Sequence, residues 1–283
     1  MIDQAYLNDF IARAFKEDIG DGDHTSLACI PADAQGKARL LVKQAGVLAG
    51  VEVALAVFRF FDPRLDVQVF LPDGTRVHPM DVAFTVEGNV CSILQCERLV
   101  LNIMQRMSGI ATQTAQYADA IKDFHAKVLD TRKTTPGMRL LDKAAVKIGG
   151  GENHRIGLYD MILIKDNHID FAGGIEQALD AVHRYLHDRG KSLKVEIEAR
   201  SVDDVRRMLA HGGMDRIMLD NFDLQTTREA VELIAGRYET ESSGGITLAN
   251  ICDYAACGVD YISVGALTHQ IHSLDLSLKA VTV

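Results

Sequence analysis

Apolar residues near the start of the chain recur at helical spacing. Ala5, Tyr6, Phe10, Ile11, Ala14 and Phe15 predict an amphipathic helix over 3–18, ended by the turn Ile19-Gly20-Asp21-Gly22-Asp23. The texture then changes. Short runs such as Ala38–Val42 and Leu65–Phe70 predict strands, punctuated at Gly46, Gly50, Pro63, Pro72-Asp73-Gly74 and Gly88, with one helix over 51–61. Val100, Ile103, Met104, Met107, Ala111, Ala115 and Ala118 keep to one face of a long helix over 94–122. Gly109 lies inside it at a cost of roughly 1 kcal/mol relative to Ala, which implies a conformational or packing reason.

Beyond residue 125, apolar runs alternate with helical stretches. The runs are Lys127–Leu129, Met161–Ile164, Leu193–Ile197, Ile217–Leu219, Tyr238–Thr240 and Tyr261–Val264, and helices are predicted over 174–189, 201–211, 223–235 and 247–257. Such alternation predicts parallel strands with helical crossovers. An α/β barrel is favoured over an open doubly wound sheet. It is expected to be incomplete, with one further strand near 144–158.

Nearly every one of these strands runs into polar residues: Asp130, Arg132 and Lys133; Lys165-Asp166-Asn167-His168; Glu196 and Glu198; Asp220-Asn221; Glu241-Ser242-Ser243-Gly244-Gly245; Ser263-Val264-Gly265. In β/α barrels the carboxyl ends of the strands converge on one mouth, where chemistry takes place. Arg132, Lys133, Arg155 and Lys165, with His154, form a cationic set suited to carboxylates and phosphates. Glu198 and Asp220 form an acidic set that suits Mg²⁺ shared with substrate phosphates, while a salt bridge to a neighbouring strand end is the other reading of Glu198. Glu196 shares a strand face with Glu198, and its role is left open. The Ser243–Gly245 and Ser263–Gly265 triplets fit backbone phosphate binding by late strand–helix loops. Gly149-Gly150-Gly151, followed by His154 and Arg155, reads as a lid or ligand-contacting loop, and Glu97-Arg98 is placed at the opening of the long helix.

Composition narrows the class. The chain has 283 residues, 47% hydrophobic and 24% charged, which is ordinary for a folded protein large enough for one or two domains. A net charge of −9 without a basic stripe argues against nucleic acid. No apolar run is long enough for a membrane span, and Met1-Ile2-Asp3-Gln4-Ala5 lacks a secretory pattern, so the cytoplasm is expected. Cys29, Cys91, Cys96, Cys252 and Cys257 contain no CxxC pair and read as reduced packing residues.

Together these motifs resemble the quinolinate phosphoribosyltransferase family over essentially the whole chain. The resemblance is carried by Glu17–Ser26, Glu97-Arg98, Met107–Thr112, Asp130-Thr131-Arg132-Lys133-Thr134-Thr135-Pro136-Gly137, Lys147–Arg155, Lys165–His168, Met218–Phe222 and Glu241–Gly245. It implies an N-terminal α/β sandwich domain, 24–112, and a C-terminal incomplete α/β barrel, 113–283, of type II phosphoribosyltransferase kind, with the helix in 1–23 packing nearby. It implies transfer of phosphoribose from 5-phosphoribosyl 1-pyrophosphate to quinolinate with decarboxylation. Arg98, Thr131, Arg132, His154, Arg155 and Lys165 would hold quinolinate. Lys133, Ser243, Gly244, Gly245, Ser263, Val264 and Gly265 would serve the donor. Lys133, Glu198 and Asp220 would be catalytic, the two carboxylates holding Mg²⁺ directly or through water. A homodimer with a shared site, Arg98 coming from the partner, is also implied, with larger assemblies in some members. The competing expectations are a related phosphoribosyltransferase with another acceptor and a non-catalytic phosphate-binding scaffold.

Overall fold

The computed structural model describes residues 3–281. In chain order the elements are α1 (Gln4–Ile19), α2 (His24–Cys29), β1 (Gln35–Val42), β2 (Gly46–Val47), α3 (Val51–Phe61), β3 (Asp66–Val69), β4 (Arg76–Val77) and β5 (Val82–Asn89). There follow α4 (Val90–Ala120), β6 (Lys127–Leu129), α5 (Arg139–Ile148), β7 (Ile162–Ile164), α6 (Asp166–Ala172), α7 (Ile175–Asp188), β8 (Val195–Ala199) and α8 (Val202–His211). The series ends with β9 (Arg216–Asp220), α9 (Leu224–Ile234), β10 (Glu239–Ser243), α10 (Ile251–Ala255), β11 (Tyr261–Ser263), α11 (Ala266–His269) and β12 (Leu276–Ala280).

The chain forms two compact units, and they are not divided by one cut near residue 112. The first takes the chain up to Ala115, then Thr134–Gly150 and the segment from Gln270 onward. The reason is strand pairing. Its antiparallel sheet runs β12-β1-β5-β3, so Leu40 of β1 lies between Phe84 of β5 and Leu278 of β12. Phe58 of α3 meets Phe84 edge-on, with centroids 5.8 Å apart, and both are fully buried.

In α1 the buried stripe is Leu7, Ile11 and Phe15, while Ala5 is exposed. On α4, Ser108 Oγ accepts the Ala49 N–H (2.9 Å) and donates to the Ala49 carbonyl (3.1 Å), and Thr112 Oγ1 accepts the Val47 N–H (2.8 Å). Packing explains Gly109: a Cβ there would come within 2.3 Å of the His272 carbonyl oxygen. Gly149 is constrained in the same way, since its Cβ would lie 2.4 Å from the Ala111 carbonyl. Gly149 caps α5 and Gly150 follows at φ 91°, so the glycine run ends a helix and seats it; it does not form an open lid.

The second unit holds Gln116–Lys133 and Gly151–His269. Its parallel sheet runs β6-β11-β10-β9-β8-β7, at the six runs read from the sequence. The seventh strand expected near 144–158 is reduced to one parallel bridge, Leu129 to Glu152, beside β6. Among the described residues nothing joins that bridge to β7, so the barrel is incomplete. Register rows put Glu196, Glu198, Arg216, Asp220, Glu239, Glu241 and Ser243 on one side of the sheet. Ile197, Ile217, Leu219 and Ile262 take the other side and are fully buried. The α10 helix is shorter than predicted because the Thr247 N–H donates to Asn250 Oδ1 (2.7 Å), which makes a turn there.

Candidate active site

The carboxyl ends of the parallel strands bring most of the expected site residues into the second unit. Asp130, just past β6, is fully buried and accepts the His154 N–H at Oδ1 (2.8 Å). This contact brings the segment bearing His154 and Arg155 beside the one bearing Arg132 and Lys133. The Lys133 N–H donates to Thr131 Oγ1 (3.1 Å), and the Lys133 carbonyl accepts Thr268 Oγ1 (2.9 Å). The Lys133 side chain passes the loop after β11, because a Cβ on Gly265 would stand 3.2 Å from Lys133 Cδ.

Arg132, Arg155 and Lys165 line one cavity of about 520 Å³, together with Leu158, Met161, Ile162, Leu163, Ile164 and His168. Its walls are apolar and its charged lining is cationic, the combination that a small planar anion requires. Arg155 is 8% exposed and donates to the Met161 carbonyl (3.3 Å); burial, and then the nearby Arg132, lower its pKa.

Lys165, just past β7, pairs with Glu198 on β8, and Glu198 also accepts the Asp166 N–H (3.2 Å). The salt-bridge reading of Glu198 is therefore realised. Asp220 on β9 has its pKa raised by burial and then by Glu198, while Asn221 Nδ2 donates to it (2.8 Å). A carboxylate whose charge is disfavoured by a second one nearby fits a divalent cation held jointly with substrate oxygens, since Mg²⁺ typically takes one or two protein carboxylates and completes its shell with phosphate and water.

Gly244 and Gly245 turn at φ 95° and 64°, and neither N–H donates to a protein acceptor among the described residues. A loop of exposed N–H groups in this conformation suits an anion. The second triplet differs from its expected role. Val264 is buried and its N–H donates to the Leu129 carbonyl (3.0 Å), and Ser263 is 6% exposed, so Gly265 is the member left to present an N–H.

Two further placements depart from the sequence reading. His154 does not line the cationic cavity. Its ring is 8% exposed as a residue, and Nε2 stands 3.0 Å from Glu196 Oε2 and 3.5 Å from Glu241 Oε2. Arg98 lies in the first unit, well inside α4, because that helix begins at Val90. It lines a separate cavity of about 510 Å³ with Phe10, Glu17, Asp18, Asn102 and Arg106.

Arg216 was not named from the sequence, and Glu241 was named only as part of a strand end, without a role of its own. Arg216 donates to Glu241 Oε2 (2.9 Å) and to Glu239 Oε2 (2.9 and 3.1 Å), and it stacks 3.9 Å from the Tyr261 ring centroid. Burial, and then Glu196, raise the pKa of Glu241; burial raises that of Glu196. The signal available in the sequence was the two-residue step from Glu239 through Glu241 to Ser243, which puts all three on one strand face.

Comparisons with known proteins are consistent along the chain. The family model "Quinolinate phosphoribosyl transferase, N-terminal domain" matches residues 23–108, and its C-terminal counterpart matches 110–279. Tobacco (Nicotiana tabacum) quinolinate phosphoribosyltransferase [decarboxylating] 2b, mitochondrial, is 46% identical over 96% of this chain and 82% of its own length. The probable nicotinate-nucleotide pyrophosphorylase [carboxylating] of Bacillus subtilis is 40% identical over 96% of this chain and 92% of its own. A crystal structure of NadC from Streptococcus pyogenes superposes with a TM-score of 0.93 at 39% identity, covering 100% of this chain and 99% of that one.

Proposed function

The chain belongs to the quinolinate phosphoribosyltransferase family, and on that premise we propose how its residues divide the work. The enzyme transfers the phosphoribosyl group of 5-phosphoribosyl 1-pyrophosphate to quinolinate with decarboxylation, giving nicotinate mononucleotide, pyrophosphate and CO₂ in NAD biosynthesis. The observation that carries the residue-level reading is the single cavity shared by Arg132, Arg155 and Lys165.

Arg132 and Arg155, with Lys165 and Thr131, orient the two acceptor carboxylates so that the pyridine nitrogen faces the ribose carbon. Two guanidiniums can each grip a carboxylate bidentately, which fixes a planar ring in its plane. The partner subunit's Arg98 completes this set in a homodimer. Gly244, Gly245 and Gly265 receive the 5-phosphate through N–H groups, and Lys133 lies along the donor beside Gly265. As the bond to pyrophosphate breaks, positive charge develops on the sugar, and Glu198 and Asp220 stabilise it. Glu198 and Asp220 would also hold Mg²⁺, which would supply positive charge for the departing pyrophosphate. The nitrogen–ribose bond then makes the ring cationic. The electrons of the breaking bond to the 2-carboxylate flow into that ring, CO₂ leaves, and the ring carbon takes a proton.

Among the described residues no helix is long and apolar enough to cross a membrane. The reading puts the enzyme in the cytoplasm, although the tobacco relative is named mitochondrial and a rice relative chloroplastic. The test is direct: supply quinolinate, the pyrophosphate donor and Mg²⁺, and measure CO₂ and nicotinate mononucleotide. Product from another pyridine acceptor, and none from quinolinate, overturns it.

A further inference from the structure

Asn221, immediately after β9, has no part in the division of work above, yet it stands between two of the groups that do. Asp220 and Ser243 are register partners at the ends of the adjacent parallel strands β9 and β10. Beyond them one chain turns into Asn221 and the other into Gly244 and Gly245. Asn221 bridges the two by three contacts. Its N–H donates to the Ser243 carbonyl (2.8 Å). Its Nδ2 donates to Asp220 Oδ2 (2.8 Å), and among the described residues no other hydrogen bond reaches that carboxylate. Its Oδ1 lies against Gly244, where a Cβ would stand only 2.6 Å from Asn221 Cγ.

The amide has one orientation open to it. An ionised carboxylate only accepts, so the NH₂ end must face Asp220, and the oxygen is left for the glycine. The backbone points to the same residue type. Asn221 is held at φ 57°, a region that glycine enters freely and asparagine tolerates better than most side chains. Glycine would serve the backbone alone with less strain. What asparagine adds is the amide, and both ends of it are in use.

We propose that Asn221 is a positioning residue for the phosphoribosyl donor, its amide fixing where the Asp220 carboxylate stands relative to the Gly244–Gly245 loop. The proposal rests on the reading of that loop as the seat of the 5-phosphate and of Asp220 as a carboxylate facing the sugar. The donor carries its 5-phosphate on one side of the ribose and its reacting carbon on the other, so it has to satisfy both places at once. A misplacement of about 1 Å between them is enough to cost most of the rate. With the amide removed, the loop and the carboxylate both remain on their strands. Only the backbone contact to Ser243 is then left to set one against the other.

The experiment compares the full-length enzyme with Asn221→Gly, which keeps the left-handed backbone and removes the amide. The kcat/KM for 5-phosphoribosyl 1-pyrophosphate is expected to fall about tenfold. Two probes that do not span the donor site are expected to keep their affinities within about twofold: inorganic phosphate, as a competitor of the donor, and quinolinate, by calorimetry. Asn221→Asp keeps the size and tolerates the same backbone but sets an acceptor against Asp220, so its donor kcat/KM is expected to fall at least as far. A parental donor constant in either variant overturns the proposal. So does an affinity for phosphate or for quinolinate that weakens as far as the donor constant, which marks a loosened loop or a loosened fold. If Asn221→Gly does not fold, Asn221→Asp carries the same test. If the parent makes no product from quinolinate, it is the assigned reaction that fails, while donor affinity by calorimetry still decides the role of Asn221.

Discussion

Gly244 and Asn221 meet so closely that a Cβ on Gly244 would lie 2.1 Å from Asn221 Oδ1 and 3.1 Å from the Asn221 backbone nitrogen. Asn221 is itself held at φ 57°, with its N–H donating to the Ser243 carbonyl (2.8 Å), so it cannot easily retreat. Gly244→Ala therefore has to deform the loop at which the donor's phosphate is read, on top of the strain of a side chain at φ 95°. The expected outcome is a rise of about tenfold or more in KM for 5-phosphoribosyl 1-pyrophosphate, with quinolinate binding by calorimetry retained.

The shared site is tested by mixing. Arg98→Ala and Arg132→Ala are each expected to be nearly inactive as pure proteins. In a statistically mixed dimer one of the two sites would carry neither substitution, so an equimolar mixture should recover roughly a quarter of parental activity. Verified heterodimers without recovery would count against a site built from two subunits.

Asp142 is fully buried, is gripped by Arg106 through two 2.8 Å hydrogen bonds, and accepts the Thr135 N–H (3.1 Å). Removing one partner of a buried pair leaves the other charge uncompensated. Asp142→Ala is expected to lower stability by about 3–5 kcal/mol in urea unfolding. The loop after Lys133, anchored at Thr135, should become more sensitive to protease.

Stability should depend on pH through the buried carboxyls. Burial raises the pKa of Glu196 above its ordinary value, so between that value and the raised one the folded chain binds more protons than the unfolded chain. Its contribution is fully present below the unfolded pKa and is lost as pH rises through the folded one, each tenfold difference in acidity between the two states being worth about 1.4 kcal/mol. The melting temperature of Glu196→Gln should accordingly fall less than that of the parent between pH 5 and about pH 8 by scanning calorimetry.

The six parallel strands were legible because most are short apolar runs that pass into polar or charged residues, and their order in the chain is repeated in the sheet from β7 to β11, with β6 beside β11. The helix α3 fell at the expected bounds, Val51–Phe61. The elements that the sequence concealed are those set by distant partners. The β12 strand reads as a short alternating segment until β1 is placed beside it. The α5 helix buries Asp142 and Lys143 as well as Leu141, so its stripe is not apolar. The cations at the strand ends were legible for the same reason as the strands. The surroundings of the His154 ring were not, because Glu196 and Glu241, which it faces, come from strands far along the chain. The Val264 N–H was likewise claimed by Leu129, a partner on β11's other neighbour.

The pairing of Leu40 with Leu278 sets a schedule for the chain's assembly. The contact closes a loop of roughly 240 residues, an entropic cost met only once the intervening unit has begun to compact. During synthesis β1 therefore waits with one edge open until β12 emerges, and the first unit to begin is the last to finish. Its exposed edge is a template for β-pairing with other nascent chains, so slow or truncated translation should yield aggregates seeded by β1 while the parallel sheet remains able to form.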